Sequence, residues 1–327
     1  MAEALMNHPQ SSILHPRSIL LAGPTAVGKS EVALLLAERL NGEIVTVDSM
    51  QVYRGLDIGT AKPSPADRAH VPHHLIDVVE LTELFDAAQF TRLAHQAVAD
   101  IQSRGRVPIL CGGTGLYFKA FLEGLGEAPP ADSAVRAELE ATPLPELLKE
   151  LEQRDLATFA RIDRQNPRRV IRAVEVIRLT GKPFSQQRAD WQPATCNPQH
   201  KYAFFGLSRA SADLHPRIDA RVDTMFQCGL LAETEQLLKC GLERNKTAMQ
   251  AIGYRQAVEH LRGQRSLPET IELVKIRTHQ FAKRQMTWLR RQARPTWIQL
   301  QPQDRPDTLV SQIASKTAFP PANNVLL

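Results

Sequence analysis

Short unbroken apolar runs alternate with stretches in which apolar positions recur every three or four residues, and this alternation organises the first 125 positions. Ser18-Ile19-Leu20-Leu21-Ala22 is an apolar run ending in a glycine turn, the pattern of a buried strand. Val32, Leu35, Leu36 and Leu40 then recur at helical spacing over 31–40, and Asn41-Gly42 stops that helix. Residues 43–47 are β-rich and predict the next strand, with Asp48 at its tip. Asp86-Ala87-Ala88-Gln89 resembles a capping box; Phe90, Leu93, Ala94, Ala97, Val98 and Ile101 line one face of the helix behind it, which Gly105 closes. Residues 107–111 supply another strand, leading into Gly112-Gly113-Thr114-Gly115. Strand, helix, strand, helix, strand predicts an α/β fold with a parallel sheet and helices on both faces.

The texture changes near Gly124. Residues 126–132 are rich in Pro and Ala and read as a linker. From there to about 198 the periodicity is helical: Ile171, Val174 and Ile177 share a face, and Gly181 and Pro183 end it. Residues 202–207 look like a strand again, so the chain returns to the sheet. The expected organisation is a core of 16–125 and 200–316 interrupted by a helical insertion, 126–199, with flexible tails at 1–15 and 317–327. Helices are expected at 217–227, 230–240, 247–262 and 268–294, the last after a Ser266/Glu269 capping box with Pro268 in its first turn.

Composition narrows the class. A hydrophobic content of 43% with 23% charged residues is that of a soluble globular protein. The apolar run at 18–22 is too short for a membrane span or a signal segment, so no membrane association is expected. Cys111, Cys196, Cys228 and Cys240 lie far apart, which suits a reducing cytoplasm and argues against a structural zinc. The net charge of +5 points only weakly to an anionic partner; where the charge sits matters more.

Gly23-Pro24-Thr25-Ala26-Val27-Gly28-Lys29-Ser30 matches G-x-x-x-x-G-K-[ST] between a strand and a helix, the context that makes this pattern a phosphate loop. Its amides and the helix N-terminus favour an anion, Lys29 adds charge, and Ser30 can hold Mg²⁺. The fold expected is therefore a P-loop NTPase-like parallel-sheet core with a helical insertion and a helical C-terminal region. An ordinary P-loop NTPase places an acid after a later strand, whereas here that strand ends in Gly-Gly-Thr-Gly. The acid at a strand tip is Asp48, placed to meet an acceptor beyond the terminal phosphate. The plainer reading of Asp48 is a turn-capping residue.

Lys275, Arg277, Lys283, Arg284, Arg290, Arg291 and Arg294 cluster around Trp288 without an acid among them, and Arg161, Arg164, Arg168, Arg169 and Arg172 form a second group in the insertion. One-sign clusters with an aromatic suit a nucleic-acid backbone, although each alone could be a solvated face. Two rivals stand beside an RNA-modifying enzyme: a P-loop kinase of a small hydroxylated metabolite, and a non-enzymatic RNA-binding regulator. His70, His73 and His74 lack an acid that would complete a metal set. Asp57 and Asp77 read as turn residues and Cys111 as a small buried hydrophobe, while Tyr53 and Tyr117 could stack on a base or pack in the core.

Taken together the motifs resemble those of the bacterial tRNA dimethylallyltransferases, the IPP transferase family. The matching stretches are 23–30, Val47-Asp48-Ser49-Met50-Gln51-Val52-Tyr53, Asp57-Ile58-Gly59-Thr60-Ala61-Lys62-Pro63, Gly112-Gly113-Thr114-Gly115-Leu116-Tyr117, 250–255 and 283–290, in family order over most of the chain. The resemblance implies transfer of a dimethylallyl group from dimethylallyl diphosphate to N6 of adenosine 37, beside the anticodon, in tRNAs reading codons that begin with U. It implies Asp48 as general base, Thr114 as a substrate-polarising hydrogen-bonding residue, and Mg²⁺ at Ser30. It assigns the diphosphate to Gly23, Pro24, Thr25, Ala26, Val27, Gly28, Lys29 and Ser30 with one of Arg217 or Arg221. It places tRNA, through its anticodon stem-loop, on Asp48, Ser49, Met50, Gln51, Thr114 and Arg136; on Gln165, Asn166, Pro167, Arg168 and Arg169; on Gln250, Ala251, Ile252, Gly253, Tyr254 and Arg255; and on Lys283, Arg284, Gln285, Met286, Thr287, Trp288, Leu289 and Arg290. A cytoplasmic monomer is expected.

Overall fold

The computed structural model describes residues 18–187 and 202–317. Strands β1 (Ser18–Ala22), β2 (Gly42–Val47), β3 (His73–His74), β4 (Val107–Gly112), β5 (Tyr202–Arg209) and β6 (Thr296–Leu300) form one sheet in the order β3-β2-β4-β1-β5-β6. Every pairing is parallel. The expected α/β class is the one observed.

Parallel neighbours need crossovers, and helices supply them. Along the first half run α1 (Lys29–Leu40), α2 (Pro65–His70), α3 (Ala87–Ser103) and α4 (Gly115–Glu123). The next stretch holds α5 (Ser133–Ala141), α6 (Leu144–Arg154), α7 (Leu156–Arg161), α8 (Pro167–Thr180) and α9 (Phe184–Gln187). After β5 come α10 (Ser211–Gln227), α11 (Leu230–Lys239), α12 (Tyr254–Leu261), α13 (Leu267–Gln292) and, beyond β6, α14 (Pro306–Thr317).

The central strand β1 is buried on both faces, which is why it reads as a continuous apolar run. Ile19 and Leu21 pack with side chains of α1, α10 and α14, whereas Leu20 and Ala22 pack with those of α3, α4 and α11. Helix α13 contributes to both layers, through Val274 and Ala282 on one side and Leu289 on the other. Helices α5, α6 and α8 pack around a separate cluster of Leu139, Leu147, Leu151, Val170, Ala173, Val174 and Ile177. Gly181 ends α8 in the left-handed conformation, as its position predicted.

Several expectations change. The helix expected from 217 begins at Ser211, because Pro216 is accommodated inside α10. The helix expected over 247–262 is broken: Ala248–Gln250 is a 3₁₀ turn, Gly253 has φ of 99°, and only Tyr254–Leu261 is α-helical. The pair His73–His74 is an edge strand, and β6 and α14 follow the helix expected at 268–294. The tails expected at 1–15 and 317–327 lie outside the described residues except for Thr317, which is buried in α14.

Candidate active site

The carboxyl ends of β1, β2 and β4 converge, and open α/β sheets bind ligands at such strand ends. After β1 the chain turns through the phosphate loop. Ala26 and Gly28 both take positive φ, 62° and 107°, turning the loop toward the start of α1; at 107° a side chain would be strained, so the glycine is required. Lys29 Nζ donates to Pro24 O at 2.9 Å, and Ser30 is exposed in the first turn of α1. The loop is clamped from outside. Arg209 Nε donates to Val27 O at 2.9 Å, Arg217 Nε donates to Ala26 O at 3.1 Å, and Gln285 Oε1 accepts from Thr25 N at 2.9 Å.

Burial sets the electrostatics. The Lys29 ammonium is lowered to about 8, chiefly by desolvation and with a contribution from the cationic Arg221, against the opposing effects of Cys111 and Asp48. The Arg221 guanidinium is also shifted down by desolvation and is favoured by Asp48. Lys29, Arg221 and Asp48 therefore share one poorly hydrated cleft. The two arginines left open above differ in setting: Arg217 is exposed and donates to Ala26 O, whereas Arg221 is desolvated and electrostatically coupled to Lys29 and Asp48. Cys111 is the small buried group expected, its thiol raised to about 11 by burial and touching Lys29 O.

The tips of β2 and β4 are stitched together. Val47 O accepts from Gly113 N at 3.2 Å and from Thr114 N at 3.3 Å, and Ser49 N donates to Thr114 Oγ1 at 3.2 Å. These contacts set Thr114 beside the Asp48 turn. Asp48 Oδ1 accepts from Met50 N (2.8 Å) and Gln51 N (3.3 Å), so the turn-capping reading is correct for one oxygen. The other oxygen, Oδ2, has no hydrogen-bond donor among the described residues. Gln51 is held in turn, its amide donating to Thr60 O and Ala61 O. That loop is anchored by Lys62, which pairs with Asp57 at 2.7 Å and Asp77 at 2.5 Å. Asp57 and Asp77 are thus turn and anchor residues.

The expected RNA-facing residues divide by exposure. Gln165, Pro167, Arg168 and Arg169 are exposed at the start of α8, with Asn166 as its N-cap. Arg168 donates to Lys246 O, which brings this corner alongside Gln250 and Arg255, both exposed. Lys283, Arg284, Thr287 and Arg290 are exposed on α13, with Met286 half-buried. Arg136 is committed to a buried partner: it and Arg172 both donate to Glu175 at 2.6 Å, while Arg136 Nε is left buried without a partner. Lys275 pairs with Asp223 and Glu272, so the basic face of α13 is narrower than the sequence suggests.

Other expected contact residues are less exposed. Ala251, Gly253, Tyr254, Gln285 and Leu289 are turned into the protein and Ile252 is half-buried, so packing and hydrogen bonding occupy them. Tyr254 receives Gly59 N and donates to Glu233 at 2.5 Å. Trp288 packs over Gly115. Tyr53 and Tyr117 are core residues, Tyr117 stacked on Phe90 with centroids 4.3 Å apart. The histidines are satisfied locally: His70 by Glu38, His73 by Val71 O and His74 by Glu43. Among the described residues no cluster of His, Cys, Asp and Glu forms a metal cage, and no helix is long and apolar enough to cross a membrane. Sequence reasoning missed Arg209 and the inward role of Gln285, since both act on a loop distant in the chain; the GKS pattern alone carries no signal for either.

A phosphate loop with buried cations, facing a carboxylate and a hydroxyl on the neighbouring strand tips, defines a P-loop α/β enzyme that brings a phosphate compound to an acceptor. The family model described as IPP transferase matches residues 51–292. The tRNA dimethylallyltransferase of Halorhodospira halophila is 49% identical over 280 residues, covering 84% of this chain and 90% of the relative. That of Geobacter sulfurreducens is 44% identical over 285 residues, covering 86% and 91%. Among solved structures, the tRNA isopentenylpyrophosphate transferase of Bacillus halodurans superposes with a TM-score of 0.66 at 38% identity, over 92% of this chain and 97% of that one. A eukaryotic dimethylallyltransferase acting on tRNA gives 0.78 at 27% identity, over 94% and 81%. The chain belongs to the IPP transferase family. None of these likenesses supports the small-metabolite kinase considered above.

Proposed function

We propose that this protein transfers the dimethylallyl group of dimethylallyl diphosphate to N6 of adenosine 37 in tRNAs reading codons that begin with U. The observation that carries this reading is the Asp48 carboxylate, with Oδ2 unengaged, sharing one cleft with Lys29 and Arg221. The relatives' names supply the substrate class, and the exposed basic residues at 168–169 and 283–290 supply a surface suited to its phosphates.

The chain's own groups account for the step. The adenine N6 attacks C1 of the donor, the C1–O bond breaks, and the diphosphate leaves with the bonding electrons. Asp48 Oδ2 accepts the N6 proton, while Oδ1 stays fixed by Met50 and Gln51 N–H groups so that the free oxygen keeps its aim. Thr114, whose oxygen is already taken by Ser49 N, has its hydroxyl proton available to the substrate. Charge developing on the diphosphate falls on Lys29, Arg221 and the loop amides, preorganised in a dry site. The exposed Ser30 hydroxyl, with diphosphate oxygens and water, suits Mg²⁺, which usually takes few protein ligands. When bound, the metal neutralises part of the leaving-group charge.

In this reading the insertion expected over 126–199, of which 188–199 lie outside the described residues, grips the anticodon stem-loop, and the described parts of 16–125 and 200–316 form the catalytic core. One chain carries both substrate sites, which suits a monomer working in the cytoplasm beside its tRNA. The test is incubation with labelled dimethylallyl diphosphate and an unmodified anticodon stem-loop, followed by nucleoside mass spectrometry. Label at the adenosine supports the proposal; RNA binding without transfer would overturn it.

A further inference from the structure

Gln285 lies within the stretch of α13 whose other members include the exposed Lys283, Arg284, Thr287 and Arg290, yet it is buried and points the opposite way. Its amide oxygen accepts from Thr25 N at 2.9 Å, and its amide nitrogen donates to Gly113 O at 3.1 Å. One side chain thus bridges the phosphate loop after β1 and the turn after β4 that carries Thr114.

The surroundings are shaped around this bridge. A methyl group built at Gly113 would run into Gln285 Nε2, and one at Gly115 would run into the Trp288 ring. Both glycines flanking Thr114 are therefore needed for α13 to approach. Gln285 and Trp288, three residues apart on one helix, close on the two sides of Thr114. Thr114 in turn receives Ser49 N, the residue after Asp48. The bond to Thr25 also withdraws that amide from the anion cradle, so it fixes the loop's shape rather than contacting phosphate.

Building on the proposed reaction, we infer that Gln285 is a positioning residue, which holds the donor's phosphate loop and the Thr114 turn in the register the transfer needs. It is not a tRNA contact. Gln285→Met keeps the length and removes both hydrogen bonds. Gln285→Glu keeps an acceptor for Thr25 N but sets a carboxylate against Gly113 O. Two hydrogen bonds of ordinary strength predict a loss of about tenfold or more in kcat/KM for dimethylallyl diphosphate.

The experiment measures steady-state prenyl transfer per folded molecule, with RNA affinity by filter binding, for wild type, both variants and Arg284→Ala. Gln285→Met is expected to raise the donor KM and lower kcat, with RNA Kd within twofold of wild type, while Arg284→Ala weakens RNA binding. If Gln285→Met does not fold, Gln285→Glu carries the same expectation. Transfer per folded molecule within threefold of wild type would overturn the inference by leaving Gln285 a purely structural role. So would an RNA Kd shifted as much as in Arg284→Ala, since that marks direct RNA contact. Wild-type protein that transfers no prenyl group sinks the proposed reaction instead, and the two failures are told apart by that control.

Discussion

Replacing Lys29 with methionine is expected to stabilise the protein against unfolding when no diphosphate is added, while removing its hold on diphosphate. Burial lowers the Lys29 ammonium from its ordinary 10.5 to about 8, a gap worth about 3 kcal/mol at about 1.4 kcal/mol per pH unit. Below about pH 8 the folded state carries that desolvated charge in full. Between pH 8 and 10.5 the unfolded chain holds the proton and the folded one has released it, so stability rises with pH through this window. Methionine fills a similar volume without charge, but Pro24 O loses its donor, a loss of about 1 kcal/mol. The net gain is about 2 kcal/mol at pH 7, falling to nothing or reversing near pH 10.5. Denaturant unfolding of both proteins at pH 7 and pH 10 measures it, with calorimetric titration of inorganic diphosphate alongside. A variant less stable than wild type at pH 7, or a difference that does not change with pH, would refute the argument that burying the Lys29 charge destabilises the fold.

Asp48→Asn is expected to slow single-turnover transfer by about 10²–10⁴-fold with RNA and donor affinity retained, because the amide cannot take the N6 proton; a loss under threefold in folded protein removes Asp48 as the base. Changing Lys283, Arg284 and Arg290 together to Ala is expected to reduce the slope of log K against log salt for RNA by roughly 0.7–0.9 per lost contact, donor affinity being unchanged. An unaltered slope would place these residues on a merely solvated face. Glu175→Gln, which removes the buried carboxylate serving Arg136, Arg172 and Asp132 N, is expected to cost about 3 kcal/mol in urea unfolding. A change below about 0.5 kcal/mol would show that the two arginines re-pair with water at little cost.

What could be read in advance was whatever is written locally. Strands β1, β2, β4 and β5 are legible because each is an apolar or β-rich run bounded by turn residues, and the phosphate loop because its glycines and lysine are contiguous. Asp48 was legible for the same reason, at the tip of a strand. The edge elements were not: His73–His74 is too short to show a period, and β6 shows only Ile298 and Leu300 inward against exposed Thr296 and Trp297. The break at Gly253 is set by a positive φ of 99° inside an otherwise helical pattern. Arg209, Gln285 and Arg221 depend on distant segments meeting, and a run of residue types does not encode which way one side chain of α13 points.

The pairing of β1 with β5 sets Ser18 against Tyr202, with the whole of α1 to α9 between them. During synthesis at about 5–20 residues per second, the strand that feeds the phosphate loop waits on the order of ten seconds or more for its second neighbour. The cluster of α5, α6 and α8 has all its side chains available before that neighbour emerges, so these helices can pack while the sheet is still open at its centre. Such non-local strand closure is intrinsically slow. A nascent chain released before β5 therefore presents the unpaired backbone edge of a mostly apolar strand, which makes the interval before residue 202 the period of greatest exposure to aggregation and to chaperones.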